Sequence, residues 1–281
     1  MTYPTKRSND PESTINFGAY LRREMIKNLI SWALKKIPRK YLQLFSHVVL
    51  RVMAIFYKGN QVECPVCGAH FRKFLPYGRV SRENALCPNC LSLERHRLLW
   101  LYLKRNTQFF EAPLKMLHIA PELCYISRFE KLENLEYITA DIESPLAKVK
   151  MDIHDIPFEE GTFDVIFCNH VLEHVRDDHE AMSEMRRVLK PGGWAILQIP
   201  IFLPWRETTL EDPGITDPKE REKVFGQDDH VRMYGRDYPE RIKKAGFKVR
   251  EIDMWEQMSE AEIKRYALPN EVIYRAEKPE A

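Results

Sequence analysis

The stretch Thr162-Phe163-Asp164-Val165-Ile166-Phe167-Cys168-Asn169 decides how the rest of the chain is read. Four apolar residues run without a break from Val165 to Cys168, between Gly161 and the polar pair Asn169-His170, which describes a strand covered on both faces. Similar short runs flank it: KMLHIA at 115–120, EYITAD at 136–141 and WAILQIP at 194–200. Helical stretches lie between them, such as 178–190, which ends at Pro191-Gly192-Gly193. Strands alternating with helices predict an α/β architecture with a parallel sheet covered by helices on both faces, completed by strands at 247–254 and 271–277. The segment 201–235 breaks the rhythm with Pro204, Pro213, Pro218 and many acids, and is expected to be a lid-like insertion away from the core.

Upstream, the chain changes character. Residues 1–17 are polar and read as a tail. Residues 20–37 carry apolar side chains at helical spacing, with Arg22, Arg23, Lys27 and Lys35 on other faces, and Pro38 closes the helix. The run 41–57 is more apolar, but Arg51 inside it and its length of 17 residues argue against a membrane span. It reads as a buried helix or as part of a basic amphipathic hairpin resting on a membrane surface.

Cys64-Pro-Val-Cys67-Gly and Cys87-Pro-Asn-Cys90 form two matched CxxC knuckles separated by 19 residues. Cys64, Cys67, Cys87 and Cys90 can supply four thiolates at the corners of a tetrahedron, which suits Zn²⁺ in a structural role. His70 and His96 are alternative ligands that the pattern does not need. Residues 91–106 read as a helix leading out of this module. The expected division is therefore 1–60 for a tail and basic amphipathic helices, 61–92 for the zinc ribbon, and 93–281 for the α/β domain.

The net charge of +2 conceals an asymmetry. Residues 1–112 hold 19 Lys and Arg against 7 Asp and Glu, a balance of about +12, and the remainder is correspondingly acidic at about −10. Two readings stand: the front end binds a polyanion, RNA or an anionic membrane surface, or it docks on the acidic domain behind it. The first twenty residues lack an apolar segment followed by a small-residue cleavage site, and paired CxxC spacing suits a reducing compartment, so a cytoplasmic location is expected.

Three segments together carry a resemblance. Met151-Asp152-Ile153-His154-Asp155-Ile156-Pro157-Phe158, then Gly161 through Asp164 and Asn169-His170-Val171-Leu172-Glu173-His174, then Val188-Leu189-Lys190-Pro191-Gly192-Gly193 resemble the class I S-adenosylmethionine-dependent methyltransferases of the type 11 group. The likeness is close over about 114–200 and weak beyond. It implies a Rossmann-like sheet with ligands beyond the carboxyl ends of its strands. It also implies that Asp141 accepts from the ribose hydroxyls and Asp152 from the adenine amino group. The Ile153 backbone would hold the ring edge, and Asn169 and His170 would face the sulfonium methyl. The first loop departs from the family: where an acid and glycines are usual, this chain reads Leu117-His118-Ile119-Ala120-Pro121-Glu122. Ala120 is expected near the cofactor, and Glu122 on its methionine amino group or a ribose hydroxyl. This loop and the segment 226–235 (GQDDHVRMYG) are similar to a bacterial subgroup of these enzymes.

The expected chemistry is methyl transfer to an acceptor of unknown identity, a small molecule or saccharide being favoured. His170 and His230 are the candidate bases, with Asp228 behind them, and Arg232 and Tyr234 are candidates for gripping an anionic substrate. His174 and His179 read as helix-start residues. An RNA base methyltransferase with a zinc module is the alternative enzyme, although no Asn-Pro-Pro-Tyr motif follows the fourth strand. The alternative outside catalysis is a zinc-dependent scaffold on an inactive methyltransferase fold.

Overall fold

The computed structural model describes residues 50, 54–78 and 80–280. The tail 1–17, the helix read over 20–37 and most of the apolar run 41–57 (41–49 and 51–53) lie outside the described residues. Among the described residues no helix is long and apolar enough to cross a membrane.

Two hairpins come first: β1 (Lys58–Glu63) with β2 (His70–Phe71), and β3 (Leu75–Tyr77) with β4 (Arg82–Leu86). The cysteine knuckles close through backbone bonds, Gly68 N–H to the Cys64 carbonyl at 2.8 Å and Leu91 N–H to the Cys87 carbonyl at 2.9 Å. Gly68 adopts φ +68°, as the turn requires, and the second knuckle imposes φ +62° on Leu91. Helix α1 (Glu94–Asn106) follows, its Trp100 ring stacked on Phe129 at 6.0 Å. Arg97 on this helix is fully buried. Its guanidinium lies 4.1 Å from the Phe74 ring centroid and donates to the carbonyls of Ala85 (2.9 Å), Asn84 (3.0 Å), Tyr266 (2.7 Å) and Ala267 (2.8 Å). The ribbon, α1 and the turn at Tyr266-Ala267 are thus pinned by one side chain, and residues 57–281 form one compact unit.

The main elements then run β5 (Leu114–Ile119), α2 (Leu123–Phe129), β6 (Leu135–Asp141), β7 (Val149–Lys150), β8 (Phe163–Asn169), α3 (Asp178–Val188) and β9 (Leu189–Gln198). After these come β10 (Leu210–Glu211), α4 (Pro218–Phe225), β11 (Arg232–Met233), α5 (Tyr238–Lys244), β12 (Lys248–Asp253), α6 (Glu260–Tyr266) and β13 (Val272–Glu277). Seven strands form one sheet in the order β12-β13-β9-β8-β5-β6-β7. The five strands from β9 to β7 are parallel, and β13 is antiparallel to both its neighbours. This is the Rossmann-like sheet expected from the sequence, except that it is mixed rather than wholly parallel, because β13 runs against both its neighbours. The only residue of β8 that is not buried is Asp164, in keeping with a strand covered on both faces. Helix α3 is capped by Asp177, whose carboxylate accepts from the Glu180 N–H at 2.9 Å. It stops at Val188, two residues before the expected end, because Pro191 drives Lys190 to extended backbone that β9 uses.

Strand order reverses between β5 and β8. From β5 the chain builds outward through β6 and β7, and from β8 in the opposite direction through β9. The carboxyl ends of these two neighbours therefore open a crevice that no crossover connection covers.

The segment 201–235 is more ordered than its prolines and acids predict. Strands β10 and β11 pair antiparallel, and α4 between them has an Asp217 cap, Pro218 in its first turn and Gly226 at φ +87° beyond its end. Phe225, His230, Arg232 and Tyr234 are all buried, so its end belongs to the core rather than to a solvated loop.

Candidate active site

The crevice is lined by the residues that end β5 and β8. Ala120 follows β5 with φ +49°, the left-handed conformation that glycine ordinarily supplies. The loop has lost its glycines but keeps a glycine-like bend. This bend turns Glu122 inward, where Asn169 Nδ2 donates to its Oε1 at 2.9 Å. His118 Nε2 donates to its Oε2, and the other nitrogen of that ring lies 2.7 Å from the Tyr137 hydroxyl. Burial alone would raise the Glu122 carboxyl; the imidazoles of His118 and His96 and the Asn169 amide instead hold it down at about 2.

His96 enters from α1, immediately after the second cysteine knuckle. Its Nδ1 accepts the Leu93 N–H at 3.0 Å, so the neutral ring carries its proton on Nε2. Burial pushes this imidazole down to about 3, with Arg95 adding to the effect. Nε2 lies 3.8 Å from Glu122 Oε1, too far for a hydrogen bond. Among the described residues, the buried His96 Nε2, Arg95 Nε and Asn169 Oδ1 have no hydrogen-bond partner. The crevice therefore offers one unused donor, His96 Nε2, and one unused acceptor, Asn169 Oδ1, beside an ionised carboxylate. The sequence offers His96 only as an alternative zinc ligand and carries no local signal for His118; their approach to Glu122 depends on bringing α1 to the end of β5.

Farther along the sheet edge, both bonds to Asp141, from the Glu143 N–H (2.8 Å) and the Ser144 N–H (2.7 Å), fall on Oδ1. Asp152 is half-exposed. Its Oδ1 accepts from the His154 N–H at 2.9 Å and faces His154 Nδ1 at 2.6 Å, bonds that hold the carboxyl below its ordinary range. Ile153 is buried beside it.

His170 follows Asn169 at φ +55° and brings Nδ1 to 3.5 Å from Glu173 Oε1. His230 is fully buried on the other side of Glu173, with its ring centroid 4.7 Å from that of His174. Burial lowers the His230 imidazole. Glu173, His174 and His230 place their ligand atoms within 4.8 Å of one another. Asp228 is exposed, and its neighbour Asp229 brings a carboxylate oxygen to 3.4 Å from His174 Nδ1. His174 lies in the turn after β8 rather than at a helix start. Its spacing from His170 and Glu173 was visible in the sequence, whereas the arrival of His230 from 56 residues downstream was not.

Arg232 and Tyr234 do not face a substrate. Arg232 is 3% exposed and donates to the carbonyls of Leu172, Val175 (2.7 Å) and Arg176 (2.9 Å), with Glu211 at 3.0 Å. The Tyr234 hydroxyl donates to Asp178 Oδ2 at 2.8 Å. Both are structural, because their polar atoms are already paired inside the core.

In the ribbon, Cys64 Sγ and Cys90 Sγ lie 3.6 Å apart, and Cys67 Sγ and Cys87 Sγ 3.8 Å. Four sulfurs around one tetrahedral ion at a metal–sulfur distance of about 2.3 Å would be about 3.8 Å apart. The spacing fits such an ion, while His70 is exposed and His96 points to the crevice. Ser92 Oγ, 3.1 Å from Cys64 Sγ and 3.3 Å from Cys90 Sγ, adds a hydroxyl beside the sulfurs.

The strand order and the open switch point define a Rossmann-like α/β domain whose crevice is lined by Ala120, Glu122, Asn169 and His170. Residues 115–197 match the family model described as Methyltransferase domain. The chain is 38% identical over 72 residues to an uncharacterized 37.1 kDa protein in a transposon of Streptomyces fradiae, covering 25% of this chain and 20% of that protein. It is 43% identical over 49 residues to a ubiquinone/menaquinone biosynthesis C-methyltransferase of Idiomarina loihiensis, covering 17% of this chain and 20% of the relative. To a ubiquinone biosynthesis O-methyltransferase of Xanthomonas oryzae it is 31% identical over 83 residues, covering 29% of this chain and 31% of the relative. The chain thus matches between a fifth and a third of the length of these relatives.

Proposed function

We propose that this protein transfers a methyl group from S-adenosylmethionine to a small-molecule acceptor, a class that includes saccharides. The observation that carries the reading is the set of unsatisfied atoms at the switch point. Asn169 Oδ1 needs a donor, His96 Nε2 needs an acceptor, and Glu122 is held ionised beside them. The methionine end of the cofactor carries an ammonium and a carboxylate, the two groups that this set lacks. The cofactor would supply an electrophilic methyl group on a sulfonium. Ala120 keeps the loop clear of the cofactor, Glu122 and Asn169 hold the amino group, and Asp141 offers its second carboxylate oxygen to the ribose. Asp152 and the Ile153 backbone would meet the adenine edge. His170, beside Asn169 and 24% exposed along its side chain, is placed to take a proton from a hydroxyl or ammonium acceptor.

An open cavity of about 580 Å³ lined by Phe202, Trp205, Arg206 and Met233, among others, supports a small acceptor. Phe202 also packs against His230, with ring centroids 6.0 Å apart, which joins the cavity to the histidine cluster. We further infer that Cys64, Cys67, Cys87 and Cys90 hold one Zn²⁺ in a structural role, that the basic front end binds a polyanion, and that the protein works in the reducing cytoplasm.

Calorimetric titration with S-adenosylmethionine tests the central reading. Binding is expected, and Asp141→Ala should weaken it by about 1.5–3 kcal/mol, the scale of a hydrogen bond to a charged group. A wild-type protein that gives no response at millimolar cofactor would return the chain to the scaffold reading.

A further inference from the structure

We propose that Glu173, His174 and His230 bind one divalent transition-metal ion at the wall of the methyl-transfer crevice. The proposal starts from the two histidine rings. His230 Nδ1 lies 3.2 Å from the Phe225 carbonyl, and a carbonyl only accepts, so Nδ1 carries the proton. Its Nε2 lone pair is then bare, and this buried atom has no hydrogen-bond partner among the described residues. His174 Nδ1 faces two acceptors, the Asp229 carbonyl at 3.3 Å and its carboxylate at 3.4 Å. Its Nε2 is likewise turned to Glu173, 3.9 Å from Oε1. One ring nitrogen fixed by a carbonyl or carboxylate while the other points at a shared centre is the second-shell pattern of metal-binding imidazoles.

Glu173 supplies the charge. It is 1% exposed, and its Oε2 has no partner among the described residues. A buried, unpaired carboxylate oxygen opposite a bare imidazole lone pair is costly for both groups, since each is an acceptor lacking a donor. A cation between them removes both costs. The three ligand atoms lie within 4.8 Å of one another, and ligands of a tetrahedral ion held at about 2.1 Å stand about 3.4 Å apart. His174 can close the difference, because it lies at the surface with its side chain 34% exposed and also marks the entry path.

The site is built rather than accidental. The Val231 N–H bonds the Glu173 carbonyl at 2.9 Å, and the Arg232 guanidinium holds three carbonyls of the same turn. These bonds set the register of 230–232 against 172–176 and bring His230 to Glu173. Two imidazoles and a carboxylate suit zinc, cobalt or iron in the divalent state. Three protein ligands leave coordination positions open, so the ion can take an oxygen of the acceptor. The placement beside the cofactor rests on the methyl-transfer reading above; binding of the ion does not.

The test uses the full chain with its cysteine module already loaded with zinc. Co²⁺ is titrated in and followed by absorption and calorimetry, and relaxation of the methyl protons of added S-adenosylmethionine is followed by NMR. One Co²⁺ per chain is expected, without the thiolate charge-transfer band that cobalt at the cysteines would show. Its affinity should fall at least tenfold in Glu173→Gln and His230→Ala, and the bound cofactor methyl should relax faster in the cobalt form. His174→Ala removes a ligand at the surface without opening a core cavity, so a folding failure of the buried variants does not protect the proposal. The absence of saturable binding, equal affinity in His174→Ala, or cofactor that binds without enhanced relaxation would each overturn it. Normal cobalt binding with no cofactor binding would support the ion site and remove the methyl-transfer reading.

Discussion

Asn169 donates its side-chain amide to Glu122 Oε1 at 2.9 Å and so ties the loop after β5 to the end of β8. The bond spans 47 residues of chain and joins the two strands whose order defines the switch point. It leaves the second amide atom of Asn169, an acceptor, unused in the crevice.

The first prediction concerns the charge on Glu122. Its carboxyl is lowered from an ordinary value of 4.5 to about 2, so its contribution to stability is present in full above about pH 4.5 and is lost as pH falls through about 2. A shift of that size corresponds to roughly 3 kcal/mol. Denaturant unfolding between pH 5 and pH 2 should show a loss on that scale in the wild type, and Glu122→Gln should flatten it. An identical pH slope in the two proteins would show that the carboxylate is not held this way.

Ala120 provides a second test. Its left-handed backbone costs an L-residue about 1–2 kcal/mol, while glycine gives back about 0.4–1 kcal/mol through the unfolded chain. Ala120→Gly should therefore be neutral or stabilising by up to about 1.6 kcal/mol and retain cofactor affinity. Ala120→Val, branched at Cβ, should be clearly destabilising and weaken cofactor binding. Thermal unfolding and calorimetry of the two variants check the pair.

The cysteine module should matter for the cofactor without touching it. His96 and Arg95 stand directly after the second knuckle, and the bond from the Leu93 N–H to His96 Nδ1 orients that ring. Cys64→Ser and Cys87→Ser are expected to release the metal, unfold the ribbon and lower cofactor affinity as a consequence. Elemental analysis should find at least one zinc per chain in protein purified without chelator, and one fewer in Cys64→Ser or Cys87→Ser. A zinc-free protein with normal cofactor affinity would refute the coupling.

The charge balance of residues 1–112 predicts that the intact chain is retained on RNA or anionic vesicles at low salt and released above roughly 0.2 M. Binding to neither support would leave docking on the acidic domain as the explanation.

Much of the architecture was legible because its signals are local. Val165 to Cys168 could only be a strand covered on both faces, and the matched CxxC knuckles announced four converging sulfurs. The 201–235 segment was harder. Its acids and prolines mark caps and turns, Asp217 and Pro218 at the start of α4 among them, yet such composition does not reveal that Arg232 will be buried against three carbonyls.

The sequence by itself determined the alternation of strands and helices, the paired CxxC spacing of the cysteines and the acids at the ends of β6 and β7. These follow from hydrophobic period and turn chemistry within a few residues of each position. Only the tertiary structure decided that Ala120 bends as glycine would, that His96 reaches Glu122 from a helix following the ribbon, and that His230 faces Glu173. Each of these depends on which distant elements become neighbours, and that is settled by packing and hydrogen-bond satisfaction across the whole fold.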